Sequence, residues 1–197
     1  HCTAACTQPS DETTKPPVEK GQETGAEKPG RNPLNADTRL VMAFGDSLYA
    51  GYNVQQDESF PAQLEKALAA KGLNVQVHNA GVSGDTTAAG LQRLAFALDG
   101  LPRKPDLVIL GLGGNDMLRG ISPDQTQSNL KAMLDELKKR DIPVVLTGMV
   151  AAPNLGQDYA SKFNPIYPAL AKQYGAGLYP FFLDGVITDK ALMLPDG

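Results

Sequence analysis

The sequence predicts an α/β fold, a three-layer sandwich in which a central parallel sheet of about five strands carries helices on both faces. Three features predict it. The strand-like segments are continuous apolar runs rather than alternating ones, as strands covered on both faces are. Between them lie segments with apolar residues at three- and four-residue spacing, the order of a βαβ chain. The apolar runs also stop at glycine-bearing polar stretches, where a strand gives way to a turn.

Residues 1–38 come before the first apolar run. They are rich in Thr, Glu, Lys, Gln, Gly and Pro and nearly free of aliphatic residues. Such a composition buries too little apolar surface to offset chain entropy, so a disordered polar tether is expected there. Its prolines, Pro9, Pro16, Pro17, Pro29 and Pro33, favour an extended spacer. The folded domain is expected over 39–197, with no internal repeat. Residues 39–44 read as the first strand, stopped by Gly45. Ser59 and Pro61 open a helix with Phe60, Leu64, Ala67 and Leu68 on one face, ending at Gly72. Residues 75–79 read as the second strand, 86–98 as the second helix, and 107–110 as the third strand, halted by Gly111, Gly113 and Gly114. Ser122-Pro-Asp-Gln125 is a capping-box start for a long helix through Leu130, Met133, Leu134 and Leu137. Its closing Lys138, Lys139 and Arg140 suit a negative helix end. Residues 142–146 read as the fourth strand, 159–174 as a looser helical stretch interrupted by Pro165 and Pro168, and 178–182 as a short fifth strand.

Composition removes several function classes. The chain has 197 residues, 42% hydrophobic, with a formal net charge of −4. No run approaches the roughly 18 apolar residues of a membrane-spanning helix. A mildly acidic surface lacks the electrostatic footprint that phosphate backbones select, so no nucleic acid partner is expected. Metal-ligand spacing, a phosphate-cradling Gly-x-x-x-x-Gly-Lys loop and a dinucleotide fingerprint are all missing, so neither metal nor cofactor is expected. No obligate protein partner is inferred. Both cysteines, Cys2 and Cys6, lie in the tail, which leaves the folded part without a disulfide framework. Thr3-Ala-Ala-Cys6, followed by a polar spacer, resembles the cleavage and lipidation box of a bacterial lipoprotein. It implies a lipid anchor at Cys6 and export to the periplasm or cell envelope; the alternative is a plain secreted tail. Both ends read as cut, since the first residue is His1 and Asp196-Gly197 begins a turn.

In open α/β sheets, sites gather outside the carboxyl ends of the strands. Strand one ends in Gly45-Asp-Ser-Leu48, strand two in Asn79-Ala-Gly-Val-Ser-Gly-Asp-Thr86, and strand three in Gly111-Leu-Gly-Gly-Asn-Asp116. Parallel strands would bring these three clusters together. Ser47 then offers a hydroxyl just past a strand, near free backbone N–H groups. The N–H groups of Ser47 and Gly84 and the amide of Asn115 make three neutral donors, the composition of an oxyanion hole. Taken singly, each is also an ordinary turn or capping residue.

These blocks resemble those of the SGNH, or GDSL-type, hydrolases, and among them the bacterial arylesterase and acyl-CoA thioesterase/lysophospholipase group. The likeness runs from about Val41 to Gly197 and is carried by Phe44-Gly-Asp-Ser-Leu48, Asn79 to Thr86, and Gly113-Gly-Asn-Asp116. It implies a flavodoxin-like SGNH-hydrolase fold, Ser47 as nucleophile, and an oxyanion held by Ser47, Gly84 and Asn115. The family's last block reads Asp-x-x-His. Asp196-Gly197 matches its beginning, which makes Asp196 the residue that would orient an imidazole two residues beyond Gly197. A chain ending at Gly197 is expected to be nearly inactive, because a serine hydroxyl is a weak nucleophile without an adjacent base. His1 lies in the tail, and His78 reads as a packed sheet residue at a strand end rather than as the base. Tyr49 stands where relatives carry a small residue and is expected to reshape the mouth.

The expected reaction is hydrolysis of short-to-medium acyl esters, thioesters or lysophospholipids through an acyl-serine. An acyl pocket is expected between the loops at 117–121 and 149–155, whose Leu118, Ile121, Met149, Pro153 and Asn154 are uncharged. Two alternatives remain open: a polysaccharide O-acetyl esterase, and a non-catalytic envelope binding module on the same fold.

Overall fold

The computed structural model describes residues 37–195 of the chain. Five parallel strands, β1 (Arg39–Gly45), β2 (Val75–Gly81), β3 (Leu107–Gly111), β4 (Val144–Thr147) and β5 (Gly177–Tyr179), form one sheet in the order β2-β1-β3-β4-β5. Between them come α1 (Ser47–Ala50), α2 (Phe60–Ala70), α3 (Thr87–Asp99), α4 (Gly114–Leu118), α5 (Pro123–Lys139), α6 (Gly156–Phe163) and α7 (Ile166–Tyr174).

The period of two along β1 divides its side chains between two cores. Leu40, Met42 and Phe44 join Val108, Leu110 and Leu146 against the apolar stripes of α3, α5 and α7, among them Leu94, Leu98, Met133, Leu137 and Leu170. Val41 and Ala43 join Val77 and Ile109 on the opposite face, where Phe60, Leu64 and Leu68 of α2 pack. Sheet and helices therefore form the three layers expected from continuous apolar strands.

Several boundaries differ from the expected ones for physical reasons. β2 is the first strand in the order, an edge strand, so its outer positions Gln76, His78 and Asn79 tolerate polar residues and the strand runs on to Gly81. His78 is therefore not at a strand end: it pairs with Met42 in mid-strand, about 10 Å back from Gly81 at some 3.3 Å per residue. β4 starts at Val144 because Pro143 has no N–H to give and Asp141 has a positive φ of 55°. The 159–174 stretch is two helices meeting at Pro165, the N-cap of α7. Pro168 falls in the first turn of α7, where a backbone N–H has no intrahelical partner to lose. β5 is only Gly177–Tyr179, ended by Pro180. At the other end of the domain, Thr38 already belongs to the fold: its carbonyl accepts from Arg103 at 2.6 Å and its hydroxyl from Asn74 at 3.0 Å. Residues 1–36 of the expected tether, with Cys2 and Cys6, lie outside the described residues, as do Asp196 and Gly197.

Register sets the site. Gly45 pairs with Gly81 on one side and Gly111 on the other, so the carboxyl ends of β1, β2 and β3 stand level. The direction in which successive strands are added to the sheet also reverses here, because β2 and β3 flank β1 on opposite sides. Crevices at such a switch point are where open α/β sheets bind ligands.

Candidate active site

The Ser47 turn forms because Asp46 caps a very short helix. Asp46 Oδ1 accepts the N–H of Leu48 at 3.1 Å, the Asp46 carbonyl accepts from Ala50 at 2.9 Å, and Gly51 closes α1 in the left-handed region. Ser47 is the first residue of α1 and half-buried. Asp46 is buried, and burial pushes its carboxyl pKa above the ordinary value; the Leu48 N–H pulls the other way, and the charges of Asp85 and Asp116 add to the rise.

Tyr49 anchors this turn from the core: its side chain is buried instead of projecting at the mouth, although it borders a concavity next to Ser47. It is 1% exposed and pairs its hydroxyl with that of Thr147 at 2.7 Å. Its ring lies edge-on to Phe60 at 5.0 Å and stacks on Phe182 at 5.2 Å. The ring fits only because Gly45 and Gly111 lack side chains: a Cβ at Gly45 would stand 2.5 Å from Tyr49 Cδ2. Burial raises the Tyr49 hydroxyl pKa well above its usual value.

The second cluster is a tight loop after β2. Val82 donates to the Gly45 carbonyl at 3.0 Å and Asp85 to the Val82 carbonyl at 3.2 Å. Gly84 has φ +84°, a conformation costly for any residue with a Cβ, although the space beside it is nearly open. Its carbonyl accepts from Arg119 at 2.8 Å.

The third cluster opens α4. The Asn115 side-chain amide donates to the Asp85 carbonyl at 3.0 Å and lies 3.4 Å from Asp46 Oδ2, so it touches both other clusters. Next to it, fully buried Asp116 accepts from the Thr87 N–H at 2.8 Å, from the Thr87 hydroxyl, and from Thr126 at 3.2 Å. Asn129 donates to that Thr87 hydroxyl at 3.0 Å. Tyr167, fully buried, donates to the Leu112 carbonyl at 2.8 Å. Among the described residues, no buried side-chain nitrogen or oxygen lacks a partner.

Ser47, Gly84 and Asn115 thus sit on three segments bound to one another at one sheet edge. A shallow concavity of about 200 Å³, open to solvent, is lined by Asp46 and Leu48, the two neighbours of Ser47, and by Tyr49, Gly111, Leu112, Thr147, Met149 and Phe182. Of the five residues expected to line an acyl pocket, Met149 borders it. Leu118 projects from the end of α4 at 76% exposure, and Pro153 and Asn154 are exposed in a 3₁₀ turn. Ile121 is half-buried, its carbonyl accepting from Tyr159 at 2.9 Å. The two loops carrying these residues do meet, since the Ala152 N–H points at the Met117 sulfur at 3.2 Å. Among the described residues, no group of three His, Cys, Asp or Glu side chains could hold a metal ion, and no helix is long and apolar enough to cross a membrane.

Sequence reasoning missed Arg93 and Arg119, which bind the loops from outside. A lone arginine on an amphipathic helix, as Arg93 is on α3, or just past a short one, as Arg119 is after α4, reads as solvated, and no local pattern marks these two.

Residues 43–197 match the model of the GDSL-like lipase/acylhydrolase family. An arylesterase of Vibrio mimicus is 43% identical over 157 residues, 80% of this chain and 78% of that protein. The thioesterase 1/protease 1/lysophospholipase L1 of Escherichia coli (strain K12) is 38% identical over 162 residues, 82% of this chain and 74% of that protein. The crystal structure of AlinE4, an SGNH-hydrolase family esterase, superposes with a TM-score of 0.80 at 52% identity, covering 83% of this chain and 87% of that one.

Proposed function

Because the chain belongs to the GDSL-like lipase/acylhydrolase family, we propose that it hydrolyses carboxylic esters at Ser47. The Ser47 hydroxyl oxygen attacks the acyl carbon while its proton passes to an imidazole oriented by Asp196. The tetrahedral oxyanion takes hydrogen bonds from the N–H of Ser47, the N–H of Gly84 and the Asn115 amide. Collapse expels the alcohol or thiol, which leaves with the proton from the imidazole. Water then attacks the acyl-Ser47 ester by the same route and releases the acid. One observation carries this reading: a single amide, that of Asn115, lies 3.0 Å from the Gly84 loop and 3.4 Å from the residue before Ser47. Turn bonds at both segments use the N–H of the residue that follows, Leu48 or Asp85, rather than that of Ser47 or Gly84. His78, in mid-strand, is too far back to serve as the base.

The substrates are small acyl esters, thioesters or lysophospholipids of short to medium chain. The names of the relatives support the class, and the apolar Leu112, Met149 and Phe182 that share a shallow concavity with Asp46 and Leu48, the neighbours of Ser47, suit an acyl group. The protein acts at the cell envelope after export, held by a lipid on Cys6, a placement supported by the Thr3-to-Cys6 box.

In the full-length protein, Ser47→Ala abolishes p-nitrophenyl butyrate hydrolysis, and a fluorophosphonate probe attaches to Ser47 in the unsubstituted protein. Turnover unaffected by the substitution would refute the nucleophile. Mass spectrometry of the protein from its native source finds acyl groups on Cys6; an unprocessed free thiol there would remove the anchor.

A further inference from the structure

Arg93 lies on α3, outside the three clusters, yet its guanidinium binds two of them at once. Nε donates to Asp85 Oδ2 at 2.6 Å, Nη1 to the Ala80 carbonyl at 2.9 Å and Nη2 to the Gly45 carbonyl at 3.1 Å. Its carbon centre stands 4.0 Å above the ring of Phe44. The pair with Asp85 is shielded, with side chains 22% and 11% exposed. The planar fork thus reaches the last residue of β1, the penultimate residue of β2, and the loop that follows β2.

The position of those partners is what matters. The Gly45 carbonyl belongs to the peptide that leads into Asp46 and Ser47, and it also accepts the Val82 N–H that starts the Gly84 loop. Asp85, held through its carboxylate, presents its own carbonyl to the Asn115 amide at 3.0 Å. An amide nitrogen has two hydrogens; the one given to the Asp85 carbonyl at 3.0 Å fixes the direction of the other, which makes only a long 3.4 Å contact with Asp46 Oδ2 and can turn to an incoming oxyanion. We propose that Arg93 is a positioning residue that sets the spacing between the Ser47 turn and the oxyanion donors. It touches no reacting atom. This inference rests on the Ser47 reading given above.

Lysine cannot replace it. An ammonium is a compact charge without the rigid fork, so it can hold Asp85 or a carbonyl but not three acceptors on separate segments. Reacting groups displaced by about 1 Å lose on the order of 10²-fold in rate. The transition state, which needs all donors aligned, suffers more than the bound ester.

The test compares Arg93→Lys and Asp85→Asn with the unsubstituted full-length protein, well below each melting temperature. Active sites are counted by titration with a fluorophosphonate, and kcat and KM are measured for p-nitrophenyl butyrate. Arg93→Lys lowers kcat per titrated site by about 10- to 100-fold while KM stays within about threefold. Asp85→Asn, which keeps a weaker acceptor for Nε, gives a smaller loss of the same kind. Adding guanidinium ion to Arg93→Ala restores part of kcat in a saturable way, and methylammonium does not. Unchanged kcat per site in Arg93→Lys, with only the number of sites reduced, would mean a purely structural arginine and would overturn the proposal. Full turnover by Ser47→Ala would instead overturn the Ser47 reading, and this inference with it.

Discussion

Asn115 owes its aim to a carbonyl oxygen, that of Asp85, and this makes its role separable from that of the serine. Asn115→Ala removes one donor and leaves the nucleophile in place. Its kcat on a p-nitrophenyl ester falls by about 10² to 10³, with KM little changed. A loss under about threefold would identify Asn115 as a loop residue only. Ser47, Gly84 and Asn115 were legible in the sequence because each belongs to a short motif whose chemistry fits its place after a strand. The direction of a side chain was not legible. Tyr49 lies two residues after the serine, but whether its ring turns outward or into the core depends on the empty space at Gly45 and Gly111, on two strands that meet only in the folded chain.

At the scale of elements, long helices and central strands carried their own signals, while short ones did not. α1 and α4, of four and five residues, are too short to show a period and are held by their caps and by what they bury. β2 hid its last two residues because an edge strand is partly polar. Sheet and connections are also tied at the opposite end of β1, where Asp106 accepts the Leu40 N–H at 2.7 Å, Arg103 at 2.7 Å and Arg39 at 3.1 Å. The Leu40 N–H above all, then Arg103, holds its carboxyl pKa down to about 2 from 3.8. A carboxylate lowered in this way stabilises the fold when ionised. Its contribution is complete above pH 3.8 and is lost as pH falls toward 2. Thermal melts across that window should show the melting temperature of the native protein falling more steeply than that of Asp106→Asn, which starts lower at pH 7. Parallel curves would remove Asp106 from the acid response.

For the whole molecule, the sequence showed that strands are parallel and that their carboxyl ends carry the polar clusters, since both follow from helices alternating with buried runs. Strand order was not legible, because no periodicity says which strand lies beside which. The order matters less than it might: parallel strands bring their ends to one edge in any arrangement, so the site could be foreseen without it. What the order adds is the placement of β1 between β2 and β3, with Gly45, Gly81 and Gly111 abreast.

That arrangement joins groups from distant parts of the chain, since Asp46 and Asn115 are 69 residues apart. The last strand needed, β3, is reached only after the βαβ unit of β1, α2 and β2, through α3, which carries the chain across β1 to its other side. Contacts of such long sequence separation form late when a chain refolds from denaturant. Helical ellipticity should therefore return before reactivity of the serine toward a phosphonate, with a lag between the two traces in stopped-flow and quench measurements. Simultaneous recovery would place the β1–β3 junction in the folding nucleus itself.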